Sequence, residues 1–412
     1  MVTPAGPTGK SIARKCFLAG ARSVRLSLQS GAMSRTFHPM TQAPTKQPTP
    51  PPRTSPAVTA ALPELSVVIP TLNEQGHIET LLKSLCDQED VVLQIIVADG
   101  GSNDDTLRIC HQWQNRHPNI HIIPSGRGRA LQMNTGVKPA LASMLLFLHA
   151  DTHIEDTRLC RHGLAALQQR QQHTTPEVAG HFKMRFLRQQ TNLQWAYYFY
   201  ECKTGLNRMD TVNGDQGMLI SRDFFQSLGG FDESLPYMED ARLARRIFEQ
   251  GNWITLPGTV YTSARRFETE GLKQRQILNA ILCNFMHIGF LDFFPHATQA
   301  YQQQDKTQVL RLFPFLKEIH KQLMNKGWIQ AANYWYATGA YVAGNCWQLF
   351  YFRDCQSNFK RSLQPGTGPS PRLDFYDRWL AGSIRLAPAK LLATGLTLLW
   401  FYMLLFASRF KP

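Results

Sequence analysis

Residues 145–153 read LLFLHADTH, so four apolar residues run directly into His149, Asp151 and His153. Acids are rarely buried unless they are paired or bound to metal. A strand that ends in two imidazoles and a carboxylate therefore looks like one that delivers side chains to a site. The same punctuation recurs along the chain. Asn73 and Glu74 follow the run LSVVIP, Asp99 closes LQIIVADGG, and Arg127 and Arg129 follow IHIIPS. Four apolar runs that each end in polar or charged residues imply one shared crevice.

The elements that must position these residues follow from periodicity. LSVVIP (65–70), LQIIVADGG (93–101), IHIIPS (120–125) and MLLFLHAD (144–151) are continuous apolar runs of buried-strand type. Between them lie GHIETLLKSLCDQ, DDTLRICHQWQNR and ALQMNTGVKPALAS, with apolar residues at helical spacing and a break near Pro139. Strand and helix alternating in this way predict a doubly wound parallel sheet, with ligands beyond the carboxyl ends of the strands. Past residue 175 the pattern loosens. VAGHFKMRF reads as a strand, TNLQWAYYFYECKTGL as an aromatic helix, and GMLISRDFFQSLGGFDE as a strand with a short helix. MEDARLARRIFEQG reads as a helix with acids in its first turn, which suits the macrodipole. WITLPGTVYTSARRF reads as strand, turn and strand, and the chain beyond residue 304 as mostly helical and rich in Trp and Tyr.

Composition narrows the class. The chain has 412 residues, 44 Lys and Arg, 30 Asp and Glu, and a formal charge of +14. Residues 1–63 hold eight of the basic residues and no acid, which leaves 36 basic against 30 acidic in the rest. The body is thus only mildly basic, and a nucleic-acid partner is not expected. The leader is rich in Arg and Ser and resembles an organelle transit peptide followed by a Pro-rich linker; plain disorder is the alternative. Cysteines at 16, 86, 110, 160, 202, 283, 346 and 355 show neither C-x-x-C nor a disulfide or zinc spacing, so the catalytic part is expected in a reducing compartment. Residues 391–407, LLATGLTLLWFYMLLFA, carry no charge and are long enough for a short membrane helix. A membrane-associated protein is expected, with a buried core helix as the alternative.

A dinucleotide fingerprint is missing. The first strand is followed by TLNEQG rather than G-x-G-x-x-G, and GRGRAL (126–131) lies after the third strand; no P-loop is present. VVIPTLNEQGHIETLLKSL, VADGGSNDDT, GRALQMNTG, LLFLHADT, GDQGMLIS, LGGFDE and MEDARLARRI occur in this order over about residues 64–300. As an ordered set they resemble the family 2 glycosyltransferases of GT-A fold. The segments HADT, GDQ and TSARR are similar to the arsenosugar-biosynthesis-type subfamily.

The resemblance implies an α/β, GT-A fold with a Rossmann-like, mostly parallel nucleotide-binding sheet; the residues beyond it lead us to expect a helical C-terminal extension and a C-terminal membrane helix. The domains would be a leader at 1–63, a catalytic domain at 64–303, a helical extension at 304–370 and a final segment at 371–412. It implies transfer of a sugar, with inversion, from a nucleotide-sugar donor to an unidentified acceptor hydroxyl. Asp99 would hold the base, with Pro70, Asn73 and Glu74 lining the nucleotide pocket. Asp104 would assist there or cap the helix that starts at Thr106. Arg129 would offset diphosphate charge. Asp151 would hold a divalent Mn2+ or Mg2+ ion, with His149 standing where the family usually has the first acid of Asp-x-Asp. Asp240, or its neighbour Glu239, would be the general base, Asp215 and Gln216 would lie near donor or acceptor sugar, and Arg265 and Arg266 would stabilise the leaving nucleotide. A sugar-nucleotide nucleotidyltransferase would need a Gly-rich, Lys-containing loop after the first strand, which is absent. A non-catalytic, membrane-anchored sugar-binding descendant would have lost the acids, yet Asp99, Asp151 and Asp240 are present.

Overall fold

Seven strands form one sheet: β1 (Leu65–Thr71), β2 (Leu93–Asp99), β3 (Ile120–Pro124), β4 (Met144–Phe147), β5 (Val178–Leu187), β6 (Met218–Ser221) and β7 (Asn252–Ser263). The structure is a computed structural model and describes residues 62–410 except 191, 193 and 305–307. The transit-peptide and linker expectations fall on the leader, almost all of which lies outside the described residues. The sheet order is β3-β2-β1-β4-β6-β5-β7. β1 pairs in parallel with β2 and β4, β2 with β3, and β5 with β7, while β6 runs antiparallel between β4 and β5. The sheet is therefore mostly parallel, as expected.

Both faces of the sheet are covered, which is why its strands read as unbroken apolar runs. Val67 and Ile69 of β1 join one core with Leu81, Cys110 and Leu164 from the helices Ile78–Cys86, Thr106–Gln114 and Leu159–His173. Val68, on the opposite face, joins a second core with Met133, Phe225 and Leu243 from the helices Arg129–Val137, Arg222–Ser227 and Glu239–Gln250.

Two local features differ from the sequence reading. β4 stops at Phe147, and Leu148 to Ala150 leave the sheet in a turn closed by the Thr152 N–H donating to the His149 carbonyl. The segment 252–263 is one strand rather than two. Its register on β5 shifts between His181 and Lys183, and Gly258, at φ 97°, absorbs the irregularity as a bulge. His153, part of the cluster that ends LLFLHADTH, pairs through its backbone with Tyr261 of β7, the two residues exchanging hydrogen bonds.

Beyond the sheet the chain is helical. Phe285, Phe293, Phe315 and Leu316 share a core that continues across residue 303, where the sequence reading places a domain boundary. The helix Ala387–Arg409 is the one described helix long and apolar enough to cross a membrane. One side of it adds Phe401 to that core, with the Trp335 and Phe401 ring centroids 5.1 Å apart. Its other side, with Leu392, Leu396, Leu399, Met403, Phe406 and Phe410, is exposed.

Candidate active site

Parallel strands bring their carboxyl ends to one edge, and β6, being antiparallel, brings its amino end to the same edge. The loops after β1, β2, β4 and β7 and the loop before β6 therefore converge.

The loops after β1 and β2 are stitched together. The Asn73 N–H donates to Ser102 Oγ (2.9 Å), and the Asn103 N–H donates back to Asn73 Oδ1 (2.9 Å). Asn73 holds this bend in the left-handed region at φ 57°, a conformation Asn tolerates better than most residues. Asp99 is buried and braces the second loop, its Oδ2 accepting from the N–H groups of Gly101 (2.8 Å) and Ser102 (2.9 Å). Asp104 accepts from the Thr106 N–H (3.0 Å) and the Gln75 N–H (3.2 Å), so it ties the start of the helix Thr106–Gln114 to the first loop. Gln132, which the sequence reading did not single out, donates to the carbonyls of Thr71 (2.7 Å) and Ala98 (2.9 Å) and clamps the ends of β1 and β2.

Behind β4, His149 and Asp215 form a pair. His149 Nδ1 donates to Asp215 Oδ1 at 2.8 Å. Burial works against a charged His149, but the Asp215 hydrogen bond overcomes it and raises the imidazole above its ordinary value. Burial likewise opposes an ionised Asp215, and His149 outweighs it and holds the carboxyl low. His149 Nε2 is buried without a partner. It faces Gly214, where a Cβ would fall 2.5 Å from Nε2 and 3.0 Å from Asp240 Oδ2. Gly214 is thus a requirement of close packing, hidden in the sequence because nothing local demands it.

The helix Glu239–Gln250 begins after Met238, a non-glycine residue at φ 69°. Such strain persists only where surrounding structure fixes it, and here it turns both acids inward. They then part ways. Glu239 is 1% exposed and pairs with the Arg129 guanidinium. Asp240 has no ion-pair partner among the described residues; its Oδ2 accepts from the Gly214 N–H (2.7 Å) and its Oδ1 from the Ala241 N–H (2.8 Å). Arg129 was expected to face diphosphate. It lies instead among Glu239, Asp240 and Asp215, whose charges raise it despite burial.

Gln216 was expected beside a sugar, but it is 0% exposed. Its amide donates to His181 Nδ1 (2.9 Å) and to the Thr204 carbonyl (3.0 Å), and its Oε1 accepts from the Asn213 N–H (3.0 Å). His181 in turn donates through Nε2 to Asn207 Oδ1 (2.7 Å), and burial pushes it below the ordinary histidine value. The network positions the Asn213–Gln216 turn and leaves Gln216 no face toward a ligand. No sequence signal marks His181 for this task.

On the open side, Arg265 and Arg266 are exposed and have no carboxylate partner among the described residues. Arg265 Nη1 lies 3.2 Å from His77 Nε2. Both arginines act electrostatically on Glu74. Burial first, and the charge of Asp151 second, raise the Glu74 carboxyl, whose Oε2 is buried without a partner. Among the described residues no three His, Cys, Asp or Glu side chains converge as a metal cage. Two neighbouring carboxylates, one with an orphaned oxygen, nevertheless fit a hard divalent cation that takes further ligands from phosphate and water.

Known proteins resemble parts of this chain. One stretch, residues 66–229, matches the family described as Glycosyl transferase family 2. It holds Asp99, Asp151 and Asp215 and stops short of Asp240. Glycosyltransferase AglE of Haloferax volcanii is 31% identical over 98 residues, which is 23% of this chain and 32% of that protein. The GalNAc(5)-diNAcBac-PP-undecaprenol beta-1,3-glucosyltransferase of Campylobacter jejuni is 31% identical over 96 residues, 23% of this chain and 31% of its own. The matched stretch thus spans about a third of these curated relatives. Among solved structures, S. aureus TarS 1-349 with UDP aligns at TM-score 0.43 and 17% identity, covering 73% of this chain and 92% of that one. Mannosyltransferase PcManGT from Pyrobaculum calidifontis with GDP-Man and Mn2+ aligns at TM-score 0.41 and 18% identity, covering 83% and 88%.

Proposed function

We propose that the chain is an inverting, metal-assisted glycosyltransferase that uses a nucleotide-sugar donor. The observation that carries this is the division of labour between two adjacent acids: Arg129 pairs with Glu239, whereas Asp240, on the same crevice as Asp151, Arg265 and Arg266, accepts from the backbone N–H groups of Gly214 and Ala241 and forms no ion pair among the described residues. A base must be ionised and unencumbered to take a proton.

Asp240 takes the proton of the acceptor hydroxyl as its oxygen bonds to the anomeric carbon. The bond from that carbon to the diphosphate breaks, and its electron pair leaves with the diphosphate. Arg265 and Arg266 meet the charge that develops there. Pro70, Asn73 and Asp99 frame the base and ribose. Asp151, with Glu74 beside it, would hold Mn2+ or Mg2+, which supplies Lewis-acid stabilisation to the diphosphate when bound. His149, whose imidazole the Asp215 hydrogen bond raises despite burial, stands where a carboxylate is usual.

As a finer reading, the HADT, GDQ and TSARR segments favour the arsenosugar-biosynthesis-type subfamily. The apolar helix Ala387–Arg409 favours a membrane-associated enzyme. The residue spacing of the cysteines favours a reducing compartment for the catalytic part. The test is a screen of nucleotide sugars for release of nucleoside diphosphate with Mn2+ or Mg2+ present. Turnover of at least one donor, lost in Asp240→Asn, is expected; a chain that binds no nucleotide sugar is not a glycosyltransferase.

A further inference from the structure

A cavity of about 380 Å3 lies between the helices Leu272–Ile288, Trp328–Gly344 and Ala387–Arg409. Its size is that of a small-molecule site. Its wall is apolar except at one end, where Asn284, Thr338 and Tyr341 gather. The Asn284 amide donates to Thr338 Oγ1 at 3.0 Å, while its Oδ1 is buried without a partner and the residue is only 6% exposed. An apolar cavity does not hold water that could satisfy such a group. An orphaned carbonyl aimed into it points to a ligand that brings a hydrogen-bond donor.

Two further facts say what kind of ligand. Met238 and Ala241, on either side of Glu239 and Asp240, pack against the same core as the cavity liners Ile281, Phe285 and Phe401. The cavity wall thus shares its core with the start of the helix that carries the candidate base. Its liners Val342, Leu396 and Trp400 are exposed, and the last two belong to the helix whose outer side is apolar. Arg385 and Lys390 at the start of that helix, and Arg409 at its end, are placed to meet anionic headgroups.

We propose that this cavity seats the acceptor, and that the acceptor is a membrane lipid. Its hydrocarbon part enters past Leu396 and Trp400, and its hydroxyl-bearing head passes Asn284 and Tyr341 toward Asp240. The proposal deepens the glycosyltransferase function above and rests on it.

The test uses the full chain in nanodiscs of phosphatidylcholine and phosphatidylglycerol, doped with a phosphatidylglycerol that carries a photoreactive diazirine on its acyl chain. Crosslinks to the peptides around Ile281–Phe285 and Thr338–Tyr341, lost in Ala280→Trp, are expected. Crosslinks confined to the outer residues Leu399 and Phe406 would overturn occupancy. In parallel, radiolabelled sugar from a donor that the enzyme cleaves is followed into an organic extract. Asn284→Leu should lower the extracted label at least tenfold while leaving nucleoside diphosphate affinity unchanged and Tm unchanged or raised. Label found only in water-soluble products, with nucleotide still released, overturns the lipid acceptor and spares the glycosyltransferase. Absence of any nucleotide-sugar binding overturns both.

Discussion

The backbone N–H of Gly214 donates to Asp240 Oδ2 at 2.7 Å, and the same glycine has His149 Nε2 where a Cβ would stand. One small residue therefore joins the candidate base to the His149–Asp215 pair. Gly214→Ala should cost about 1–3 kcal/mol of stability, as overpacking does. It should also lower kcat more than it changes nucleotide affinity. Thermal melts and steady-state kinetics on the purified variant decide this, and an unchanged kcat would contradict the close packing.

Asp240→Asn should retain binding of nucleoside diphosphate in calorimetry while transfer drops by about 10²–10⁴-fold, the range of a lost general base. Glu239→Gln should behave differently, because it strands the Arg129 guanidinium: a lowered Tm should accompany any loss of rate. Asp99→Asn should weaken nucleotide binding itself. It removes a brace from Gly101 and Ser102, and Ser102 in turn holds Asn73.

Asp151→Asn should weaken Mn2+ binding, measured by electron paramagnetic resonance with nucleoside diphosphate present, and abolish turnover. Glu74→Gln should weaken Mn2+ binding less. Full activity in a chelator would leave Arg265 and Arg266 as the phosphate partners and remove the metal from the scheme.

The His149–Asp215 pair predicts a bell in stability. Asp215 is held below its ordinary value of 3.8, so its contribution is present above that pH and lost as pH falls through the depressed value. His149 is raised above 6.5, so its contribution is present below that pH and lost as pH rises through the raised value. The Tm gap between wild type and Asp215→Asn should be widest between about pH 3.8 and 6.5 and should close on both sides. A gap that is flat with pH would show that the pair is not ionic.

The outer side of the helix Ala387–Arg409 predicts sedimentation with membranes. Replacing Leu399 and Phe406 by Lys should move the protein to the supernatant with little change in Tm, since both are exposed. Truncation before residue 371 is a poorer test. It also removes Leu373, Tyr376 and Phe401 from two helical cores.

Periodicity alone determined the element order, the mostly parallel sheet and the edge on which the polar residues meet, because strand and helix repeats are local properties of the chain. It also marked Asp99 and Asp151, since each ends a strongly patterned run, while the part given to Asp240 came only from the resemblance to family 2 glycosyltransferases. Only the tertiary structure decided which groups are free to act. Arg129 and Glu239 stand 110 residues apart and neutralise each other, and Gln216 vanishes into a network with His181. The Asn284 Oδ1 finds no partner among the described residues, beside a cavity built from separate helices. Ion pairing and desolvation depend on distances between remote side chains, and no window along the chain contains those distances.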